Sequence, residues 1–197
     1  SQLLGESKDL PEEDKRLTEI ISQQTQRLDI IVENILSLSR KKEFKPEIVD
    51  ITQWIRSFHD NLILESGIAA DNIRLELPED KIMVSFDTTH LNQIMCNLVN
   101  NGIRHSRNNH SNTLLNISCS TSKDSQQTYI DIIDHGAGIN DDHQEKLFEP
   151  FFTTEPTGTG LGLYISKELS QLNHAHLQYI DDQDEGAHFR ISLLNAA

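Results

Sequence analysis

Asp134-His135-Gly136-Ala137-Gly138-Ile139 and, after a gap, Gly158-Thr159-Gly160-Leu161-Gly162-Leu163 together hold five of the nine glycines in the chain. Where Cβ atoms are missing, backbone N–H groups approach a phosphate chain closely, so the two loops read as two walls of one nucleotide site. One such loop alone would carry little weight. Here a helix bearing Asn97 and Asn101 lies upstream, and the aromatic run Leu147-Phe148-Glu149-Pro150-Phe151-Phe152 separates the loops.

The segments flanking the loops set the architecture. Residues 129–133 alternate as a strand that runs into Asp134, and residues 161–172 repeat with helical period out of the second loop. Further strand-like runs cover 48–51, 73–77, 82–86, 114–120, 176–180 and 188–193, and helical periodicity covers 52–65 and 89–105. Interleaving without strict alternation predicts an α+β chain, a two-layer α/β sandwich whose mixed sheet is covered on one face by helices. Residues 140–159 lack a long periodic element and read as a mobile lid, with Phe148, Phe151 and Phe152 pinning it to the core.

The first forty residues follow another rule. After Asp9-Leu10-Pro11, apolar residues fall at Leu17, Ile21, Leu28, Ile31, Ile35 and Leu38 with Gln24 in frame, an alternation of four and three. Ile20, Ile30, Val32 and Leu36 widen the seam towards a four-helix bundle, in which residues 1–7 are the stub of a preceding antiparallel helix. A surface helix docked on the following domain is the alternative. Lys41-Lys42-Glu43-Phe44-Lys45-Pro46 ends the helix as a linker, which divides the chain into segments 1–45 and 46–197.

Composition narrows the function classes. A net charge of −14 disfavours a nucleic-acid or anionic-membrane surface, so a bound polyphosphate would rely on backbone amides, a metal ion and few cations. Cys96 and Cys119 are too few and too far apart for a disulfide framework or a zinc site, which fits a reducing compartment. No apolar run has the length of a membrane span and no signal-peptide pattern is present. Ser1 in place of an initiator Met reads as an excised fragment.

Chemistry can then be assigned to positions. Asn97 and Asn101 are four apart on one helix face, with Arg104 and His105 a turn further. Amide carbonyl oxygens are hard ligands suited to Mg²⁺, and Arg104 adds a cation for phosphates. Asp134, at a strand end, can accept a hydrogen bond from the exocyclic amine of adenine, whereas guanine presents a second acceptor there. The loop 158–162 places the N–H groups and positive dipole end of the following helix against phosphates. His135 reads as a tolerated loop residue. His174, His176 and His188 could suggest a metal, but common strand alternation accounts for them.

The stretch Asn97-Leu98-Val99-Asn100-Asn101-Gly102-Ile103-Arg104-His105 resembles the N box of sensor histidine kinases. The loop at 134–139 resembles their first glycine box, residues 148–152 their F box, and residues 158–163 their second glycine box, in the same order. Leu147-Phe148-Glu149-Pro150-Phe151-Phe152-Thr153-Thr154 with a short lid is similar to nitrogen-regulation and type IV pilus sensor kinases, whose regulators drive sigma-54 promoters. The helix at 16–21 and its end at 36–40 look most like the pilus sensor.

The resemblance implies a Bergerat-type ATP-binding fold over 46–197 and part of a dimerisation and phosphotransfer domain over 1–45. It implies ATP and Mg²⁺ as cofactors, with Asn101 the Mg²⁺ ligand and Asn97 its polar neighbour. Arg104 and His105 would touch phosphates, and Asp134 would anchor adenine. Gly136, Gly138, Ile139, Thr153, Thr154, Gly158, Thr159, Gly160, Leu161, Gly162 and Leu163 would complete the nucleotide cradle. Related ATPases of the gyrase and chaperone type carry at the position of Asn97 a Glu that activates water. An amide cannot take that proton, which fits a kinase that spares ATP until a histidine arrives.

Implied partners are ATP or ADP, a second copy through the heptad helix, and a response regulator of the sigma-54-activator type, with no nucleic acid and no direct membrane contact. The implied location is the cytoplasmic portion of an inner-membrane sensor. None of the nine histidines sits in a phosphoacceptor motif, so the acceptor is expected upstream of Ser1 and the chain should bind ATP without phosphorylating itself. Glu155 replaces a Lys common in this subgroup's lid, and Gly186-Ala187-His188-Phe189 replaces the family's Gly-Thr-x-Phe. Two other classes fit the same site: a non-catalytic nucleotide-binding regulatory module and an anti-sigma-type serine kinase.

Overall fold

The computed structural model describes residues 14–18, 20–22, 24, 25, 28, 32, 44–106, 114–122, 126–155, 158–181 and 186–196. Among them the strands are β1 (Glu47–Asp50), β2 (Ile73–Glu76), β3 (Met83–Phe86), β4 (Leu115–Thr121), β5 (Gln127–Asp134), β6 (His176–Ile180) and β7 (His188–Leu194). The helices are α1 (Ile51–Ser66), α2 (Thr88–Ser106), α3 (Asp141–Gln144) and α4 (Gly162–Leu172). Expected and observed ends differ by a residue or two. The one-turn helix α3, capped by the Asn140 side chain on the Asp142 N–H, lies below the length at which periodicity can signal a helix.

The main sheet has the order β2-β4-β5-β7-β6. Only β2 and β4 run parallel; the remaining neighbours are antiparallel, so the sheet is mixed. β1 and β3 form a separate antiparallel ribbon, joined to the sheet end by a bridge between Val84 and Asn195. Alternation along β5 sends Thr128, Ile130, Ile132 and Asp134 to the buried face, where the β-branched side chains suit a pleated surface. Against that face lie Leu91, Ile94, Met95, Leu98, Val99 and Ile103 of α2, spaced three and four apart, with Ile165 and Leu169 of α4 and Ile51, Ile55 and Phe58 of α1. The sandwich therefore puts the end of β5, the last turns of α2 and the start of α4 at one rim.

On the opposite sheet face Asp131 sits across from Arg190. Its Oδ1 accepts from Arg190 Nε at 2.6 Å, and Oδ2 from Arg190 Nη2 at 3.2 Å. His188 Nε2 meets the same Oδ1 at 2.7 Å. Burial raises the Asp131 pKa, but these donors outweigh it and hold the carboxyl below its ordinary range. The register places His176 opposite Ser192, away from His188, which lies opposite Ile180.

The described residues between 14 and 32 are helical, and Leu17, Ile20, Ile21, Leu28 and Val32 are exposed there. The stub at 1–7 and the seam residues Ile30, Ile31, Ile35, Leu36 and Leu38 lie outside the described residues. No helix among the described residues is long and apolar enough to cross a membrane.

Candidate functional site

Asp134 closes β5 with its side chain on the buried face, 5% exposed. Its Oδ1 accepts the backbone N–H of Gly136 at 2.9 Å and of Ala187 at 3.0 Å, and its own N–H donates to the Ala187 carbonyl at 3.0 Å. The carboxylate is thus fixed by the turn that follows it and by the start of β7. Burial pushes its pKa up; the N–H donors of Gly136 and Ala187 and the nearby His105 and His135 pull it back only in part. The helix approaches this strand end because Gly102 has no side chain. An added Cβ would fall on Leu115 Cδ2 and lie 3.2 Å from Asp134 Cβ.

Helix α2 carries the polar stripe that the spacing predicts. Asn97 and Asn101 are half-buried, and Arg104 and His105 are exposed in the last turn, where a cation suits the negative end of the helix dipole. Asn97 Nδ2 donates to the Gly162 carbonyl at 3.2 Å and to Ser166 Oγ at 3.1 Å. Ser166 Oγ in turn donates to the Gly162 carbonyl at 2.9 Å. Asn97 therefore ties α2 to the first turn of α4.

The second glycine loop is shaped by short contacts. Gly160 has φ +68, and a Cβ there would fall on the Phe151 carbonyl carbon. Phe151 N–H donates to the Gly160 carbonyl at 2.9 Å. Thr153 Oγ1 accepts the Glu155 N–H at 3.1 Å and donates to the Glu155 carbonyl at 3.3 Å, which in turn accepts the Gly158 N–H at 3.1 Å. Thr154 is exposed beside this turn. Thr159 Oγ1 accepts the Leu161 N–H at 3.4 Å, and Leu161, expected inside the helix, is instead the residue that caps it. Ile139 and Leu163 pack on the core from the two loops, and Gly138 at φ +75 comes close to the Gly186 carbonyl.

Of the lid aromatics, Phe148 meets Phe189 edge-on at 6.5 Å with Lys167 over its ring at 5.0 Å, and Phe152 meets His143 at 5.5 Å. Of the three aromatics expected to pin the lid to the core, only Phe148 packs on it; Phe152 meets His143 of the lid itself, and Phe151 departs furthest. It is 65% exposed with φ +68, because its backbone follows the close approach of Gly160.

Ser106 was not expected at the site. Fully buried at the end of α2, it donates through Oγ to the Leu114 carbonyl at 2.8 Å and accepts the His135 N–H at 3.0 Å. It links the helix, β4 and the first glycine loop, and the only sequence signal was a hydroxyl just beyond the apolar period. Ser106→Ala is expected to lower unfolding free energy by about 1–2 kcal/mol, read by urea denaturation, since buried groups lose a partner. A change below about 0.3 kcal/mol would mean that the link is dispensable.

Comparison with known proteins places this geometry. The family described as histidine kinase-, DNA gyrase B-, and HSP90-like ATPase matches residues 86–197. The sensor protein kinase PilS of Pseudomonas aeruginosa is 38% identical over 193 residues, 98% of this chain and 36% of that protein. The sensor histidine kinase MtrB of Mycolicibacterium paratuberculosis is 25% identical over 188 residues, 90% of this chain and 32% of that protein. The chain thus spans about a third of the length of these relatives. Histidine kinase ThkA, in complex with the response regulator protein TrrA, shares the fold at a TM-score of 0.75 and 24% identity, over 99% of this chain and 55% of that one. ShkA, in complex with AMPPNP, shares it at 0.70 and 21% identity, over 99% of this chain and 41% of that one. The matched region runs from the end of β3 through α2, both glycine loops and β7, and on that ground the chain belongs to the histidine kinase-, DNA gyrase B-, and HSP90-like ATPase family.

Proposed function

We propose that this chain is the catalytic ATP-binding portion of a sensor histidine kinase, which passes the γ-phosphoryl group of ATP to a histidine and from there to a response regulator. The observation that carries the proposal is Asp134, whose Oδ1 is held by two backbone N–H groups at a strand end. That arrangement leaves Oδ2 to receive the exocyclic amine of adenine, and a buried acceptor discriminates against the guanine carbonyl.

The donor set also fits a metal-bound triphosphate. Asn101 offers the hard oxygen for Mg²⁺, Asn97 supports it, and Arg104 and His105 face the phosphates. Gly136, Gly138, Gly158, Thr159, Gly160, Leu161 and Gly162 offer backbone N–H groups, with Ile139, Leu163, Thr153 and Thr154 closing the cradle. When bound, Mg-ATP supplies the phosphoryl group and the metal charge that offsets it. The chain's own contribution is to orient the nucleotide while providing no carboxylate base at position 97, so water is not activated.

The names of PilS and MtrB support signalling through a kinase, and the ThkA–TrrA complex supports a response regulator as partner. The resemblance of residues 147–154, 16–21 and 36–40 to type IV pilus sensor kinases supports, as part of the same proposal, a sigma-54-activator regulator, control of pilus transcription and placement on the cytoplasmic side of an inner-membrane sensor. The exposed apolar residues Leu17, Ile21 and Leu28 support pairing of two copies as part of the same proposal. Calorimetry of the unmodified chain and Asn101→Ala with Mg-ADP, Mg-ATP and Mg-GTP tests the site. The expected result is adenine selectivity of at least about tenfold and a loss of about tenfold or more in Asn101→Ala that shrinks when Mg²⁺ is replaced by EDTA. Equal affinity for ATP and GTP would overturn the adenine assignment.

A further inference from the structure

The polar groups at the far end of α4 belong to no part of the nucleotide site, yet they are buried and mutually bonded. Asp87, His90 and Asn173 are 6%, 8% and 7% exposed. Asn173 caps α4 and its Oδ1 accepts the Asp87 N–H at 2.8 Å, across 86 residues of chain. Its Nδ2 donates to the Leu169 carbonyl at 2.7 Å and lies 3.1 Å from His90 Nδ1. Asp87 Oδ1 accepts the N–H groups of Thr89 and His90, and Oδ2 accepts the Lys45 N–H at 2.9 Å. The Phe44 ring stacks on His90 at 6.0 Å with the planes 8° apart.

Two of these contacts seize the linker itself. Phe44 and Lys45 are the described residues that lead from the amino-terminal helix into β1, and both are held by side chains at the start of α2. The same cluster closes α4, whose first turn follows the second glycine loop and is tied to Asn97. Eleven helical residues give α4 a length of about 16 Å. One rigid element thus has the glycine loop at one end and the linker anchor at the other. Burial raises the Asp87 pKa, but the N–H donors of Lys45, His90 and Thr89 and the neighbouring His90 outweigh it and keep the carboxylate ionised to lower pH than usual.

We propose that Asp87, His90 and Asn173 form an anchor that fixes the direction in which the 44–46 linker leaves the sandwich, and so act as positioning residues for phosphoryl transfer to a histidine on the preceding helices. The proposal rests on the kinase reading above. A bound triphosphate reaches an acceptor outside the sandwich only along a defined approach, and small misplacements of reacting atoms cost large factors in rate.

Phe44→Ala is the primary test, because the ring lies on a linker and its loss leaves the core intact; Phe44→Tyr keeps the stack. In this chain, hydrogen exchange at the Lys45 amide is expected to speed up about tenfold in Phe44→Ala and in Asn173→Ala, with Mg-ADP affinity within twofold of the unmodified chain. In the longer protein that carries the acceptor histidine, kcat for autophosphorylation is expected to fall about tenfold in both with KM for ATP unchanged, and to recover in Phe44→Tyr. Faster Lys45 exchange with unchanged kcat would reduce the anchor to a structural role and overturn the proposal, as would a parallel change in KM. An unmodified chain that binds no Mg-ADP would overturn the kinase reading and the positioning role with it. An unmodified protein that transfers phosphate no faster than Phe44→Ala would overturn the positioning role alone.

Discussion

Asp134→Asn is expected to bind Mg-ADP about 100-fold more weakly than the unmodified chain, a loss near 2.7 kcal/mol, while unfolding at the same or a higher urea concentration. The amide keeps an oxygen where Oδ1 accepts the Gly136 and Ala187 N–H groups, so the strand end holds its shape. The second position becomes an NH₂ donor, which faces the adenine amine with no acceptor between them. Inosine diphosphate, with a carbonyl in place of the amine, should lose much less, so the ratio of ADP to IDP affinity inverts.

The stability side follows from the raised carboxyl pKa. The folded chain holds this proton more tightly than the unfolded chain. Its contribution to stability is full below the unfolded value of about 3.9 and is lost as pH rises through the folded value. At neutral pH the ionised group is therefore a net burden on folding, which the neutral amide removes. Binding runs the other way, since protonation removes the acceptor. ADP affinity of the unmodified chain should begin to fall on acidification above the ordinary carboxylate range, whereas that of Asp134→Asn should show no such step. Calorimetry and urea melts from pH 4 to 8 read both trends. An Asn variant that binds ADP within threefold of the unmodified chain would remove Asp134 from adenine recognition.

What the sequence made legible was periodic or composed of glycine. The alternation at 129–133, the three-and-four spacing of Leu91, Ile94, Met95, Leu98, Val99 and Ile103, and the two glycine loops reach the observed sandwich because each pattern repeats within one element. What it hid was pairing across long stretches of chain. Asn173 meets Asp87 across 86 residues and Ser106 meets His135 across 29, and a single Ser or Asn leaves no period to detect. Phe151 misled for a different reason. Aromatic composition predicts burial, but its backbone at φ +68 is dictated by Gly160, and the ring is carried outwards. The amide face of α2 was legible as geometry, while the ligand it meets is a matter for titration.

Gly186→Ala is expected to destabilise the fold by about 3 kcal/mol or more and to abolish measurable ADP binding, although Gly186 is not among the residues assigned to the nucleotide cradle. Its φ of +87 lies where an L side chain is strained, and a Cβ there would fall on the Asp134 carbonyl oxygen, with the carbonyl carbon 2.8 Å away and Oδ1 at 3.3 Å. Left-handed strain alone costs roughly 1–2 kcal/mol. The collision is with backbone, so relief requires the start of β7 to separate from the end of β5. That movement breaks the bond from the Asp134 N–H to the Ala187 carbonyl and the bond from the Ala187 N–H to Oδ1, releasing the carboxylate. Gly67 supplies the control. It has φ +65 at the end of α1 and an added Cβ there meets nothing within 4 Å, so Gly67→Ala carries the strain without the collision. Its expected cost is roughly 1–2 kcal/mol with ADP affinity retained. Urea denaturation and calorimetry on the pair separate the two contributions: a large gap in stability with binding lost only in Gly186→Ala ties the adenine carboxylate to the β5–β7 junction. Equal costs with binding retained in both would mean that Asp134 holds its position through Gly136 alone.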